Sequence, residues 1–121
     1  MRPHHDRDVW KKAVKFSVQV YKVTDTFPRD EKFGLTSQIR RASVSIAANI
    51  AEGAGRKSKK EFANFLSISQ GSASEVETEL IIAFQLGYFG DKVFQELTGD
   101  LDEIGRMVIG LRRYCASHDG T

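Results

Sequence analysis

The stretch TSQIRRASVSIAANIAEG, residues 36–53, decides the fold. Counting Leu35 before it, the apolar residues Leu35, Ile39, Ala42, Ile46, Ile50 and Ala51 return at helical spacing and line one face. Strict alternation, the mark of a half-buried strand, is absent from it. The small residues Ala42, Ser43, Ser45, Ala47, Ala48 and Ala51 would let a second helix approach closely. The pattern predicts a helix from Thr36 to Glu52, stopped by Gly53, Ala54 and Gly55.

Upstream, from Asp8 to Phe27, the residues Val9, Ala13, Phe16, Val20, Val23 and Phe27 alternate at steps of four and three. Trp10, Val14 and Tyr21 widen that seam, and Lys11, Lys12, Lys15, Gln19 and Lys22 give the helix a basic outer face. Pro28 ends it by removing a donor and restricting the residue before it, so Pro28 to Gly34 is a connection. Downstream, Ser58 followed by Glu61 is a capping-box signature for a third helix over 59–87. Gly71 in its middle predicts a bend or a close crossing. A fourth helix over 92–115 follows from Val93, Leu97, Leu101, Ile104, Val108, Leu111 and Cys115, with flexible ends beyond. Four amphipathic helices with short connections predict an all-α fold: one domain over 1–121, an antiparallel up-and-down four-helix bundle.

The composition fits that size. A chain of 121 residues, 40% hydrophobic and 28% charged, holds one compact core. Its single cysteine, Cys115, excludes an intrachain disulfide framework and a multi-thiolate metal cage. Met1 to Lys12 is polar, with no apolar run of the length that a signal peptide or a membrane span needs. The expectation is therefore a cytoplasmic protein with no membrane partner. The net charge of +2 divides into +8 for residues 1–60 and −6 for residues 61–121. Two readings are open: the halves neutralise each other within one chain, or the dipole draws an acidic partner or a second copy.

Catalysis lacks a base, because His4, His5 and His118 fall in the expected flexible ends and outside every predicted helix. No Glu-x-x-His pair of the di-iron bundles occurs. The chain is read as non-enzymatic, with no catalytic residue, no cofactor and no metal. Glu75 and Glu79, one turn apart, would need Asp100 or Glu103 to hold a hard cation, and an exposed acidic face accounts for them more simply. The Gly53-Ala54-Gly55 turn before Arg56, Lys57, Lys59 and Lys60 suggests phosphate at a helix start, against an ordinary glycine cap and basic linker. Arg41, Ser45, Asn49 and Glu52 form one polar stripe leading to Arg56, flanked by Arg40. Facing solvent, the stripe suits phosphates through Arg40 and Arg41. Facing a helix, Arg41 would pair with Glu75 or Glu79 and Asn49 would cap backbone groups. Asn49 and Glu52 are expected to be partly buried, so they are read with Glu75 and Glu79 as structural polar residues. Trp10, Phe16, Tyr21, Tyr88, Phe89 and Phe94 read first as core, and alternatively as an oligomer interface.

Taken together, several runs resemble one family: Ile39-Arg40-Arg41-Ala42, Ser45 to Gly53, Glu61-Phe62 with Phe65-Leu66, and Asp8-Val9-Trp10-Lys11-Lys12-Ala13. Gly71-Ser72 with Glu75, Glu77, Thr78 and Leu80, and Leu86-Gly87-Tyr88, fit the same pattern. The chain is similar over about residues 8–115 to the bacterial intervening-sequence proteins, four-helix bundles encoded within insertions in large-subunit ribosomal RNA genes. A related bundle is the accessory protein of diversity-generating retroelements. The resemblance implies a ring-shaped homopentamer that touches RNA or DNA, or a nucleic-acid-bound protein such as a reverse transcriptase. It places basic character on Lys11, Lys12, Lys15, Arg40, Arg41, Arg56, Lys57, Lys59 and Lys60. Repetition around a ring would multiply weak phosphate contacts. The sequence shows no recognition helix or aromatic strand platform, so the expected binding is electrostatic and without base readout. The alternative is a protein-interaction scaffold with no affinity for nucleic acid.

Overall fold

A computed structural model describes residues 5–118. It contains α1 (His5–Thr24), α2 (Leu35–Ala54), α3 (Lys59–Gln85) and α4 (Asp91–His118), with a short 3-10 turn at Arg29–Glu31. α1 packs on α2, α2 on α3, α3 on α4, and α4 back on α1. That closed circuit is the expected four-helix bundle, and no strand occurs among the described residues. The flexible ends of the sequence reading, residues 1–7 and 116–121, are helical over 5–7 and 116–118, so α1 begins at His5 rather than Asp8; the remainder, His4 included, lies outside the described residues.

The predicted seams form the core. Phe16 and Val20 of α1, Ile39 and Ile46 of α2, Phe62 and Leu66 of α3, and Ile104 and Val108 of α4 are all buried. Removing apolar area of this kind from water is what holds the helices together, at about 1.5–3 kcal/mol for each large side chain. The small residues of α2 allow close approach on both flanks. Ser17 Oγ donates to the Ser43 carbonyl at 2.9 Å from α1, and Ser69 Oγ donates to the Ile46 carbonyl at 2.8 Å from α3.

Several boundaries differ from the sequence reading, each for a local reason. α1 ends at Thr24 rather than Phe27, because the Thr24 hydroxyl turns back to the Val20 carbonyl (2.7 Å) and accepts from Arg40 Nε (2.8 Å). Phe27 instead packs its ring on Tyr88 and Phe89 at centroid distances of 5.2 and 5.9 Å. α2 starts at Leu35, whose N–H donates to Glu31 Oε1 at 3.0 Å, while Tyr88 Oη donates to Glu31 Oε2 at 2.7 Å.

Gly53 does not stop α2; the helix runs through it to Ala54, and Gly55 is the cap. A Cβ on Gly53 would stand 2.7 Å from Phe65 Cβ and 2.8 Å from Phe62 Cδ1, so the glycine is there to admit α3. The close crossing expected at Gly71 is absent, since a Cβ there meets nothing within 4 Å and α3 is unbroken. At the start of α3 the Ser58 hydroxyl accepts the Glu61 N–H (3.1 Å) and donates to the Glu61 carboxylate (3.3 Å), which bears out the capping signature. α4 continues to His118, so that histidine is helical rather than part of a loose end.

Candidate nucleic-acid interface

An up-and-down bundle gathers the start of α1, the end of α2, the start of α3 and the end of α4 at one pole. Segments 5–15, 48–66 and 106–118, which build that pole, carry a net charge of +7. Segments 16–47 and 67–105, which build the opposite pole, carry −5. The two-halves dipole of the sequence is therefore an axial polarity of the folded molecule, because α4 returns Arg106, Arg112 and Arg113 to the basic end.

Lys11, Lys12 and Lys15 are exposed on α1, and Arg56, Lys57, Lys59 and Lys60 cluster at the α2–α3 connection. Their surroundings differ. Arg56 pairs with Glu52 at 2.7 Å and lies over the Phe65 ring at 4.8 Å. Lys59 sits 5.8 Å from the Tyr114 ring centroid, and Lys12 pairs with Glu103 at 3.0 Å. Exposed pairs of this sort are weak and screened by salt, so these cations stay available to an incoming anion. The glycine turn that suggested phosphate caps α2, with the Gly55 N–H held by the Ala51 carbonyl.

Arg40 and Arg41 lie apart from this group, in the first half of α2. Arg40 closes the end of α1: Nε donates to Thr24 Oγ1, NH2 donates to the Tyr21 carbonyl at 3.1 Å, and the guanidinium covers the Tyr21 ring at 4.6 Å. That geometry satisfies terminal carbonyls as a helix cap does. Arg41 donates to Ser37 Oγ at 3.2 Å. The stripe ahead of Arg56 faces α3: Asn49 Nδ2 donates to the Ser45 carbonyl (2.9 Å) and Ser72 Oγ donates to Ser45 Oγ (2.9 Å). Asn49 is half-buried as expected, whereas Glu52 is exposed and reaches Arg56.

Glu75 is exposed, and Glu79 beside it is buried, with Oε1 lacking any hydrogen-bond partner among the described residues. Burial pushes the Glu79 carboxyl up to about 7, helped by the charge and hydrogen bond of Glu75. No group of three or more His, Cys, Asp or Glu side chains is close enough to hold a metal ion among the described residues.

Sequence reasoning passed over Arg112 and Arg113, exposed in the last turns of α4. Their place at the end of the last helix was visible, and an antiparallel topology puts that end beside the α2–α3 connection. Trp10 and Tyr21, read first as core, are 39% and 44% exposed; Phe16 is buried, and Tyr88, Phe89 and Phe94 are half-buried around Phe27 and Phe84. No helix among the described residues is long and apolar enough to cross a membrane.

The family model of the 23S rRNA-intervening sequence protein matches residues 5–110, nearly the whole bundle. The chain belongs to that family. One solved structure similar to this intervening-sequence chain is a crystal structure from Bacteroides thetaiotaomicron, described as a protein with unknown function from the S23 ribosomal protein family. It is 26% identical, covers 90% of this chain and 98% of its own, and superposes with a TM-score of 0.83. None of the curated proteins compared with the chain matches it. Membership in the intervening-sequence family agrees with the resemblance read from the Arg40 to Gly53 block.

Proposed function

We propose that this intervening-sequence protein is a non-enzymatic, self-assembling bundle that binds structured RNA through its basic pole. The observation that carries the reading is the +7 pole, to which four separate helix ends contribute. Lys57, Lys60, Arg112 and Arg113 are exposed there and can neutralise phosphates without reading bases. Self-association is supported by the exposed aromatic and aliphatic side chains along α1, including Trp10, Val18 and Tyr21. A closed homopentamer, as the family resemblance implies, would repeat the basic pole and raise avidity without any tight single site.

The test combines light scattering with a salt titration of binding to a generic RNA hairpin. Neutralising about four phosphates predicts a loss of affinity on the order of 10²-fold between 50 and 200 mM salt. The triple variant Lys57→Gln, Lys60→Gln, Arg113→Gln should weaken binding and flatten the salt slope. The control triple Lys22→Gln, Lys32→Gln, Lys92→Gln, at the opposite pole, should leave both unchanged. An assembly with no RNA affinity at low salt would leave a protein scaffold and refute the nucleic-acid reading.

A further inference from the structure

At the pole opposite the basic one, charge is unevenly held. Residues 67–105 carry −7 and residues 16–47 carry +2, so cations gather where α1 ends and α2 begins. A hollow of about 230 Å³ opens there, between the end of α1, the connection after it and the first turns of α2. Arg29, Lys32 and Arg40 line it against one carboxylate, Asp25, and Phe27 and Pro28 supply apolar wall. None of the three cations forms an ion pair among the described residues. Like charges around so small a space repel one another, and an anion between them removes that cost.

Arg40 is the fixed member. Its Nε and NH2 are committed to Thr24 Oγ1 and the Tyr21 carbonyl, and the guanidinium lies over the Tyr21 ring, so its orientation is set before any ligand arrives. Those bonds use two of its five donors and leave NH1 without a partner among the described residues. One turn earlier on the same face of α2, Thr36 is 7% exposed and lines the same hollow, and its hydroxyl bonds to no described residue. A hydroxyl so buried ordinarily has a partner. Thr36 also stands in the first turn of α2, where N–H groups lack intrahelical acceptors; Glu31 takes that of Leu35 and leaves those of Thr36 and Ser37. The positive end of the helix dipole adds to the attraction for an anion.

We propose that this hollow binds a single phosphate group, free or at the end of a small molecule. The two arginines offer planar N–H forks that match phosphate oxygens, Lys32 adds a point charge, and Thr36 adds a buried hydroxyl. The volume lies below the roughly 300–1,000 Å³ of a pocket for a drug-sized ligand, so the phosphate is the part recognised and whatever it is attached to stays outside. The −7 carried by residues 67–105 on the same pole turns away an extended polyanion. The site is therefore separate from the RNA surface proposed above, and stands or falls without it.

The experiment titrates inorganic phosphate into the full chain by calorimetry at constant ionic strength, with chloride as the balancing anion. The wild type should bind with a Kd on the order of 1 mM or tighter. Thr36→Val, which keeps the shape of the side chain, and the exposed double variant Arg29→Gln, Lys32→Gln should each weaken binding about tenfold, with circular dichroism confirming the fold. The basic-pole triple Lys57→Gln, Lys60→Gln, Arg113→Gln should bind phosphate as the wild type does. Adenosine monophosphate and adenosine separate the sources: binding of the nucleotide but not the nucleoside assigns a terminal phosphate, and binding of inorganic phosphate alone assigns the free ion. A wild type that binds no phosphate overturns the proposal. So does binding that survives Thr36→Val and the Arg29, Lys32 double variant but is lost in the basic-pole triple, because the anion is then held at the other pole.

Discussion

Replacing Glu79 by Gln should make the protein more stable at high pH and should remove most of the pH dependence of its stability near neutrality. Glu79 is 6% exposed on α3, with Glu75 one turn before it and an unpartnered Oε1. Its carboxyl is pushed from the model-peptide value of 4.5 up to about 7, first by burial and then by Glu75. The folded value lies above the unfolded one, so the folded state holds the proton more tightly. The stabilisation is fully present below about 4.5 and is lost as pH rises through about 7. The full shift corresponds to about 3 kcal/mol; solvent screening and sharing with Glu75 reduce this to about 1–2 kcal/mol. Urea titrations at pH 4.5, 6, 7 and 8.5, at one fixed protein concentration, read it directly. With a urea slope of about 1–3 kcal/mol/M, the wild-type midpoint should fall by roughly 0.5–1 M across that range, and the Glu79→Gln midpoint should stay nearly level. Parallel pH profiles for the two proteins would falsify the assignment of the buried proton to Glu79.

Gly53→Ala should cost about 1–3 kcal/mol, read as a lower melting temperature, because its Cβ has no room between Phe62 and Phe65. Gly71→Ala, with open space around it, should instead gain about 0.5–1 kcal/mol on the same instrument. Glu31 accepts the Leu35 N–H and the Tyr88 hydroxyl, which hold its carboxyl below the ordinary value of 4.5. Its stabilisation is therefore present above that value and lost as pH falls through the lower folded one, and an acid titration of Glu31→Gln should lack this component. Arg40→Gln should lower stability by about 1 kcal/mol through the lost cap on α1 while leaving RNA affinity in a filter-binding assay unchanged.

The helices were legible because their apolar periodicity is nearly uninterrupted, and most seam residues from Val9 to Leu111 are buried as their spacing demands, with Val23 and Val93 half-buried and Ala51, read as part of the α2 apolar face, exposed near the end of its helix. Gly53 was misread because a glycine near the end of a helical pattern has the local grammar of a stop, whereas its role is set by phenylalanines on another helix. Trp10 and Tyr21 carry core side chains on the edge of the α1 seam, and only the packing shows that no further helix covers that edge. Arg40 and Arg56 looked equivalent as arginines near small residues. Fifteen residues, all but Gly55 within α2, separate a side chain tied to the end of α1 from one at the basic pole. The pole itself draws on stretches at both ends and the middle of the chain, so only the antiparallel path assembles it.

The axial separation of charge makes the two kinds of contact orthogonal. In the RNA complex proposed above, a copy held by its basic pole stands upright, with its long sides still facing its neighbours. One polyanion can then hold several copies in the same orientation at a local concentration far above that in solution. Under that proposal the nucleic acid is a mould for the assembly, and the threshold for self-association is set by how densely the strand is occupied.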